Sequence, residues 1–184
     1  MISETIKNRR AVFPAQYNNQ PISKEEISTI LEAANWAPTH KRTEPWRFKV
    51  FHGESQVELG KFLSETYKDT TEKFSELTYN KYRANPTKAA CVIAICFQRE
   101  PKESLPEWEE IAATAMAVQN MWLTAHSMGI GAYWGSPGVS KYMDKHVQME
   151  EGERCLGFFY LGKYDGELPE GTRKNSIEEK TIWM

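Results

Sequence analysis

Arg9-Arg10 and Arg173-Lys174 stand near opposite ends of a 184-residue chain. Guanidinium forks and ammonium groups suit phosphate oxygens, although solvated surface charge is the commoner use of such pairs. A second stretch with chemical potential is Trp36-Ala37-Pro38-Thr39-His40-Lys41-Arg42-Thr43-Glu44-Pro45-Trp46. Its two prolines force an irregular loop. Hydrogen-bonding side chains fill it, and a tryptophan flanks each end. Such a loop can hold a planar ring with polar edges, or it can be a plain helix-to-strand connection with His40 exposed. A third stretch, Gly129 to Gly138, carries four glycines in ten residues. It permits close approach of backbone to a ligand or a packed helix. The amides of Gly135 and Ser136 are free donors if a strand ends there, and a tight turn is the plainer alternative. None of His40, His52, His126 and His146 sits with Cys or a carboxylate at metal-site spacing, so no metal is expected. His126 falls within a helical pattern and reads as structural on that basis.

Several standard motifs are missing. The chain has no GxGxxG opening a helix, no phosphate loop ending in Gly-Lys-Ser/Thr, no GxSxG and no HExxH. The 23 Lys and Arg against 25 Asp and Glu give a net charge of -2, which argues against a nucleic-acid binder. No apolar run approaches the roughly 20 residues of a membrane span. Met1 to Arg10 lacks the apolar core of a signal peptide. Cys91, Cys96 and Cys155 are odd in number and lie in apolar runs, which disfavours a disulfide framework or a zinc site. These features lead us to expect one soluble, cytoplasmic domain spanning residues 1–184. Aromatic residues make up 12% of the chain. Most are expected in the core, and the same residues line sites for flat ligands.

The elements that must position these residues follow from patterning. Ser3 to Arg9 reads as a short helix. Ser23 and Glu26 form a capping box before Ile27, Ile30, Leu31 and Ala34 at helical spacing. Pro38 closes that helix. Trp46 to Phe51 alternates as a strand with one apolar face. Glu54 to about Arg83 reads as two charged helices with a break near Asp69. Cys91 to Phe97 is an apolar run expected to be a central strand buried on both faces. Glu107 to Met128 is the longest helix, with an expected stripe of Ile111, Ala115, Val118, Trp122 and Ala125, and Gly129 suits its left-handed exit. Gly131–Gly135 and Leu156–Gly162 read as short strands. The last 22 residues, 163–184, look like a tail whose apolar end should pack on something, and a second subunit is one candidate. The fold class is α+β, a small sheet covered by helices on both faces.

Six segments in order resemble the nitroreductase family of FMN-dependent oxidoreductases, nearest to its minimal members of the YdjA type. They are Ile6-Lys7-Asn8-Arg9-Arg10-Ala11, Ile30 to Lys41, Pro45-Trp46-Arg47-Phe48, Met116 to Gly131, Gly157-Phe158-Phe159-Tyr160-Leu161-Gly162 and Arg173-Lys174. The resemblance implies a three-layer nitroreductase-like fold with a mixed, mainly antiparallel sheet. It also implies an intertwined homodimer, with tails 163–184 wrapping the partner and two FMN sites built from both subunits. Carried over by position, Arg9, Arg10, Arg173 and Lys174 would bind FMN as phosphate candidates. Trp36, Thr39 and His40 would lie over the flavin, and Trp134, Gly135 and Ser136 would line the ring. Thr124, Ala125, His126, Ser127, Met128 and Gly129 match a nicotinamide-contacting stretch. Ala11 stands where the family usually has Ser, Glu44 where it has Gln and Gly135 where the nearest type has Arg.

The implied activity is a ping-pong hydride transfer. NADH or NADPH reduces FMN, which then reduces a small acceptor such as a nitroaromatic or a quinone. The cofactor carries the chemistry and the protein supplies position and electrostatics. No covalent nucleophile is expected. Two alternatives stay open on the sequence: another reductive reaction on the same fold (dehalogenation or flavin fragmentation), and a flavin-binding protein without turnover.

Overall fold

The computed structural model describes residues 2–184. Its centre is β2 (Cys91–Gln98), in which every residue from Cys91 to Phe97 is buried. The apolar run has this consequence because helices cover both faces of the sheet. Four strands run in the order β1 (Trp46–Phe51), β2, β4 (Glu153–Lys163) and β3 (Ile130–Gly135), each antiparallel to its neighbours. The expected mainly antiparallel sheet is present. Its only parallel component among the described residues is an isolated bridge between Ala11 and Ala132.

Alternation along β2 sorts the core into two halves. Cys91, Ile93 and Ile95 join Phe159 and Leu161 under α2 (Lys24–Asn35) and α5 (Glu107–Ser127). Val92, Ala94 and Cys96 join Phe158 and Tyr160 on the other face. There they meet Leu59 and Leu63 of α3 (Glu54–Thr70) and Val139 and Met143 of a 3-10 segment, Gly138–Lys145. Burying each such side chain contributes about 1.5–3 kcal/mol. The outermost helix, α4 (Glu76–Lys88), packs on α3 so closely that a methyl group on Gly60 would strike the Arg83 carbonyl.

Local signals explain most element ends. Ser23 Oγ accepts from Glu26 N–H at 3.1 Å, and Glu26 Oε2 accepts from Ser23 N–H at 2.7 Å, completing the capping box of α2. Gly129 takes φ +69° after α5. The predicted pair of charged helices is present, but α4 runs beyond Arg83 to Lys88 through Pro86. Proline removes an amide donor there, and the Pro86 carbonyl accepts from Gln56 Nε2 at 2.6 Å.

Two expectations are corrected. The buried face of α5 is Glu110, Ala113, Thr114, Ala117, Val118, Met121 and Ala125, rotated from the predicted stripe, so Ile111, Ala115 and Trp122 are only partly buried. Small residues face the sheet and α2 because backbones approach closely there. Glu110 is tolerated inside because Arg99 pairs with it and Glu100 N–H donates to it at 2.9 Å. The tail also begins later than Lys163. That residue ends β4, Tyr164 bridges to Tyr17, and Arg10 Nε donates to Pro169 O at 3.0 Å. Residues 172–184 are exposed throughout.

Candidate functional site

The first group of predicted residues is held at the sheet edge. α1 (Ile2–Asn8) ends at Arg9, and the chain then joins β3: Ala11 bridges to Ala132, and Val12 N–H donates to Ala132 O at 3.0 Å. The Tyr17 hydroxyl, 2.8 Å from Val12 O and 3.0 Å from Tyr160 O, ties the same segment to β4. This anchoring lays the Arg9 guanidinium 4.4 Å from the centre of the Trp122 ring, a cation–π contact. Arg9 has no carboxylate or hydrogen-bond partner for its guanidinium among the described residues. Its pKa falls, first through burial and then through the charges of Arg10 and Arg173. The tail therefore lies close to the N-terminal segment, Gly171 against the Arg10 guanidinium and Arg173 near enough to act on Arg9.

Arg10 is held by backbone carbonyls, Nη1 donating to Lys7 O at 2.7 Å and Arg9 O at 2.8 Å. His126, one helical turn from Trp122, has its pKa lowered by burial, then by Arg9 and Arg10. The cluster thus gathers positive charge, and an anion would relieve both Arg9 and His126. Lys174 is exposed beside Arg173.

The loop between α2 and β1 lies elsewhere. Trp36 caps α2, is 79% exposed and donates its indole N–H to Glu32 Oε1 at 3.0 Å. Thr39 Oγ1 lies 3.1 Å from Thr43 Oγ1 and accepts from Glu44 N–H at 3.2 Å. His40 Nδ1 is 2.6 Å from Glu109 Oε2, and Lys41 Nζ donates to Ser104 O at 3.1 Å. Lys41, Arg42 and Glu44 all have positive φ, 51°, 56° and 43°. Glu109 belongs to the first turn of α5 and Trp122 to its second half, about 20 Å apart at 1.5 Å per residue. Within one chain, the loop and the arginine cluster stand at opposite ends of the same helix.

The glycine-rich segment forms the third group. β3 ends at Gly135, opposite Phe158, and the chain leaves the sheet at Ser136. Gly157, with φ +139°, lies directly against them. A side chain on Gly157 would meet Gly135 O, Trp134 Nε1 and Ser136 Cα. The Trp134 indole N–H is buried and unpartnered, and so is that of Trp122.

In the stretch proposed for nicotinamide contact, Thr124, His126 and Met128 are partly exposed. Ala125 is fully buried and offers no side chain to a ligand. Ser127 Oγ donates back to Thr124 O at 2.8 Å, and Gly129 makes the helix exit.

Trp122, under Arg9, and Gly157, against Trp134 to Ser136, are not singled out by the sequence as candidates. Trp122 was legible only as part of an apolar stripe. The Gly157 requirement depends on a strand register that spacing does not reveal. No group of three or more His, Cys, Asp or Glu among the described residues can hold a metal ion. No described helix is long and apolar enough to cross a membrane.

The chain is similar to several known proteins along nearly its whole length. YfhC of Bacillus subtilis (strain 168), named as a proposed NAD(P)H nitroreductase, is 25% identical over all of this chain and 94% of its own length. YdjA of Escherichia coli (strain K12), named likewise, is 28% identical over 86% of each chain. A nitroreductase-like family protein from Bacillus cereus superposes with a TM-score of 0.83 at 26% identity, covering 100% of this chain and 96% of its own. A nitroreductase from Bacteroides fragilis NCTC 9343, solved with bound FMN, gives 0.73 at 26% identity over 100% and 97%. The model of the nitroreductase family matches residues 6–163, and with that span carrying Arg9 and Arg10, the loop and the glycine-rich strand end, the chain belongs to the nitroreductase family.

Proposed function

We propose that this chain is a single-domain, FMN-dependent NAD(P)H oxidoreductase, working as a homodimer on a small acceptor such as a nitroaromatic or a quinone. The observation that carries the reading is the gathering of Arg9, Arg10 and Arg173, with the Arg9 guanidinium laid over the Trp122 ring. A phosphate monoester is the anion that a fork of guanidiniums fits best. The two orphaned buried indole N–H groups, of Trp122 and Trp134, fit a polar, flat ligand in the same region. The FMN bound to the Bacteroides fragilis nitroreductase and the names of YfhC and YdjA support the same cofactor and donor.

Arg9, Arg10, Arg173 and Lys174 would hold the phosphate. The strand end at Trp134, Gly135 and Ser136 would meet the ring edge, with Gly157 supporting it from beneath. Trp36, Thr39 and His40 lie too far along α5 to join this group in one chain, so a second copy would supply them. Thr124, His126 and Met128 remain the exposed candidates for nicotinamide contact. Bound FMN supplies two-electron transfer between the nicotinamide and the acceptor. The arginines favour negative charge on whatever binds against them.

The test is an absorbance spectrum after FMN reconstitution and desalting, then after anaerobic NADPH or NADH. A retained flavin band that bleaches is the expected result. A retained band that neither nucleotide bleaches would reduce the protein to a flavin binder, and no retained band would overturn the cofactor. Arg9→Ala should weaken FMN binding by roughly 10- to 100-fold, the loss of one charge-assisted contact. Unchanged affinity would remove Arg9 from the phosphate site.

A further inference from the structure

Cys96 and Cys155 face each other directly across the β2–β4 ladder. Both side chains join the core half under α3, whereas Cys91 points to the opposite face under α5. Antiparallel partners have Cα atoms about 4.5 or 5.5 Å apart, and both spacings fall within the roughly 4.4–6.8 Å of a disulfide. The register slips between Ile95 and Cys96, so the strand carries a bulge where it must move to join the sulfurs.

Access and charge distinguish the two thiols. Cys96 is fully buried, while Cys155 is 8% exposed and lines a cavity of about 430 Å³ with Ser140, Asp144, Glu153 and Arg154. The neighbouring sulfur and burial push the Cys96 thiol up, and its contact with Cys96 pulls Cys155 down. Cys155, the thiol that reaches the cavity, is therefore the attacking sulfur and the enclosed Cys96 the resolving one.

We propose that Cys96 and Cys155 are a peroxide-sensitive dithiol that closes to an intrachain disulfide. The Cys155 sulfur attacks one oxygen of hydrogen peroxide and the O–O bond breaks. The other oxygen leaves as water, taking up the thiol proton, and Cys155 is left as a sulfenic acid. The Cys96 sulfur then displaces that hydroxyl, which departs with the Cys96 proton as a second water. Two thiols lose two electrons, and one peroxide becomes two waters. The Cys155 sulfur is 3.4 Å from Gly157 O, and Gly157 abuts Trp134-Gly135-Ser136, so closure pulls on the segment that ends β3.

This inference does not rest on FMN binding. The full-length protein is treated with hydrogen peroxide, denatured with an alkylating agent and mapped by mass spectrometry without reduction. The expected product is a link between the peptides holding residues 96 and 155 within one chain, with Cys91 still alkylated. Cys96 and Cys155 should be consumed at least about tenfold faster than Cys91. Cys91→Ala should keep the link, and Cys155→Ala should abolish it and leave Cys96 alkylatable. The proposal is overturned if protein that keeps its native circular dichroism forms no such link, links between chains instead, or loses Cys91 equally fast.

Discussion

Gly157 has no room for a methyl group, and its φ of +139° suits no other residue. Gly157→Ala should cost about 2–4 kcal/mol from strain and the clash with Gly135 O. A urea titration measures this, and the variant should also retain less FMN because Trp134-Gly135-Ser136 rest on this position. His146 offers a second residue-scale prediction. Its ring stacks on Phe62 at 4.6 Å and Phe51 at 5.9 Å between centroids. Burial lowers its pKa, with Glu58 opposing. The unfolded chain therefore binds the proton more readily, and stability falls as pH drops below the ordinary histidine value of about 6.5. It levels off once pH is below the folded value. His126 shifts in the same direction, so the informative comparison is wild type against His146→Phe: the variant should show a shallower loss of urea midpoint on acidification. At this scale the sequence was legible where a side chain acts on its own neighbours, as Ser23 does on Glu26. It was not legible where the partner comes from another strand, as with Gly157 or the Cys96–Cys155 pair.

Patterning located the helices and strands well because each carries its own signal: alternation in β1, an unbroken apolar run in β2, a glycine after α5. It failed on which face α5 buries. That helix has apolar or small residues around most of its circumference, so its contacts with α2 and the sheet choose the face. Glu110 marks the difference. It is fully buried, pairs with Arg99 and accepts the Glu100 amide, and Arg99 in turn donates to Leu105 O at 2.6 Å. This knot fixes the connection from β2 into α5. Glu110→Ala should destabilise the fold by about 3 kcal/mol, since Arg99 would lose its buried partner and keep only the exposed Glu103, 4.0 Å away. Thermal unfolding would register it, and a loss below about 1 kcal/mol would show that the Arg99 charge finds water instead.

The exposed end of the chain governs the largest scale. Ile177, Ile182 and Trp183 are 68%, 85% and 93% exposed. Apolar side chains in such an array seek cover, and a second copy is the occupant we propose. Sedimentation should give a dimer, and removing residues 175–184 should raise the monomer fraction and weaken FMN binding in parallel. A stable monomer that still holds FMN would refute the shared site. Spacing showed that this tail should pack on something, but one chain's sequence does not encode the geometry of its neighbour. The loop of Lys41, Arg42 and Glu44 adds a last consequence. Three side-chain-bearing residues in left-handed geometry within four positions store about 1 kcal/mol or more each. Beyond the loop's own Thr39–Thr43 and Thr39–Glu44 hydrogen bonds, two latches tie it to the rest of the chain, His40 on Glu109 and Lys41 on the Ser104 carbonyl. The segment is a wound spring with one catch on the helix beneath and one on the connection leading into it, so releasing both latches lets it uncoil without disturbing the core, and glycines there would keep the path but leave it slack.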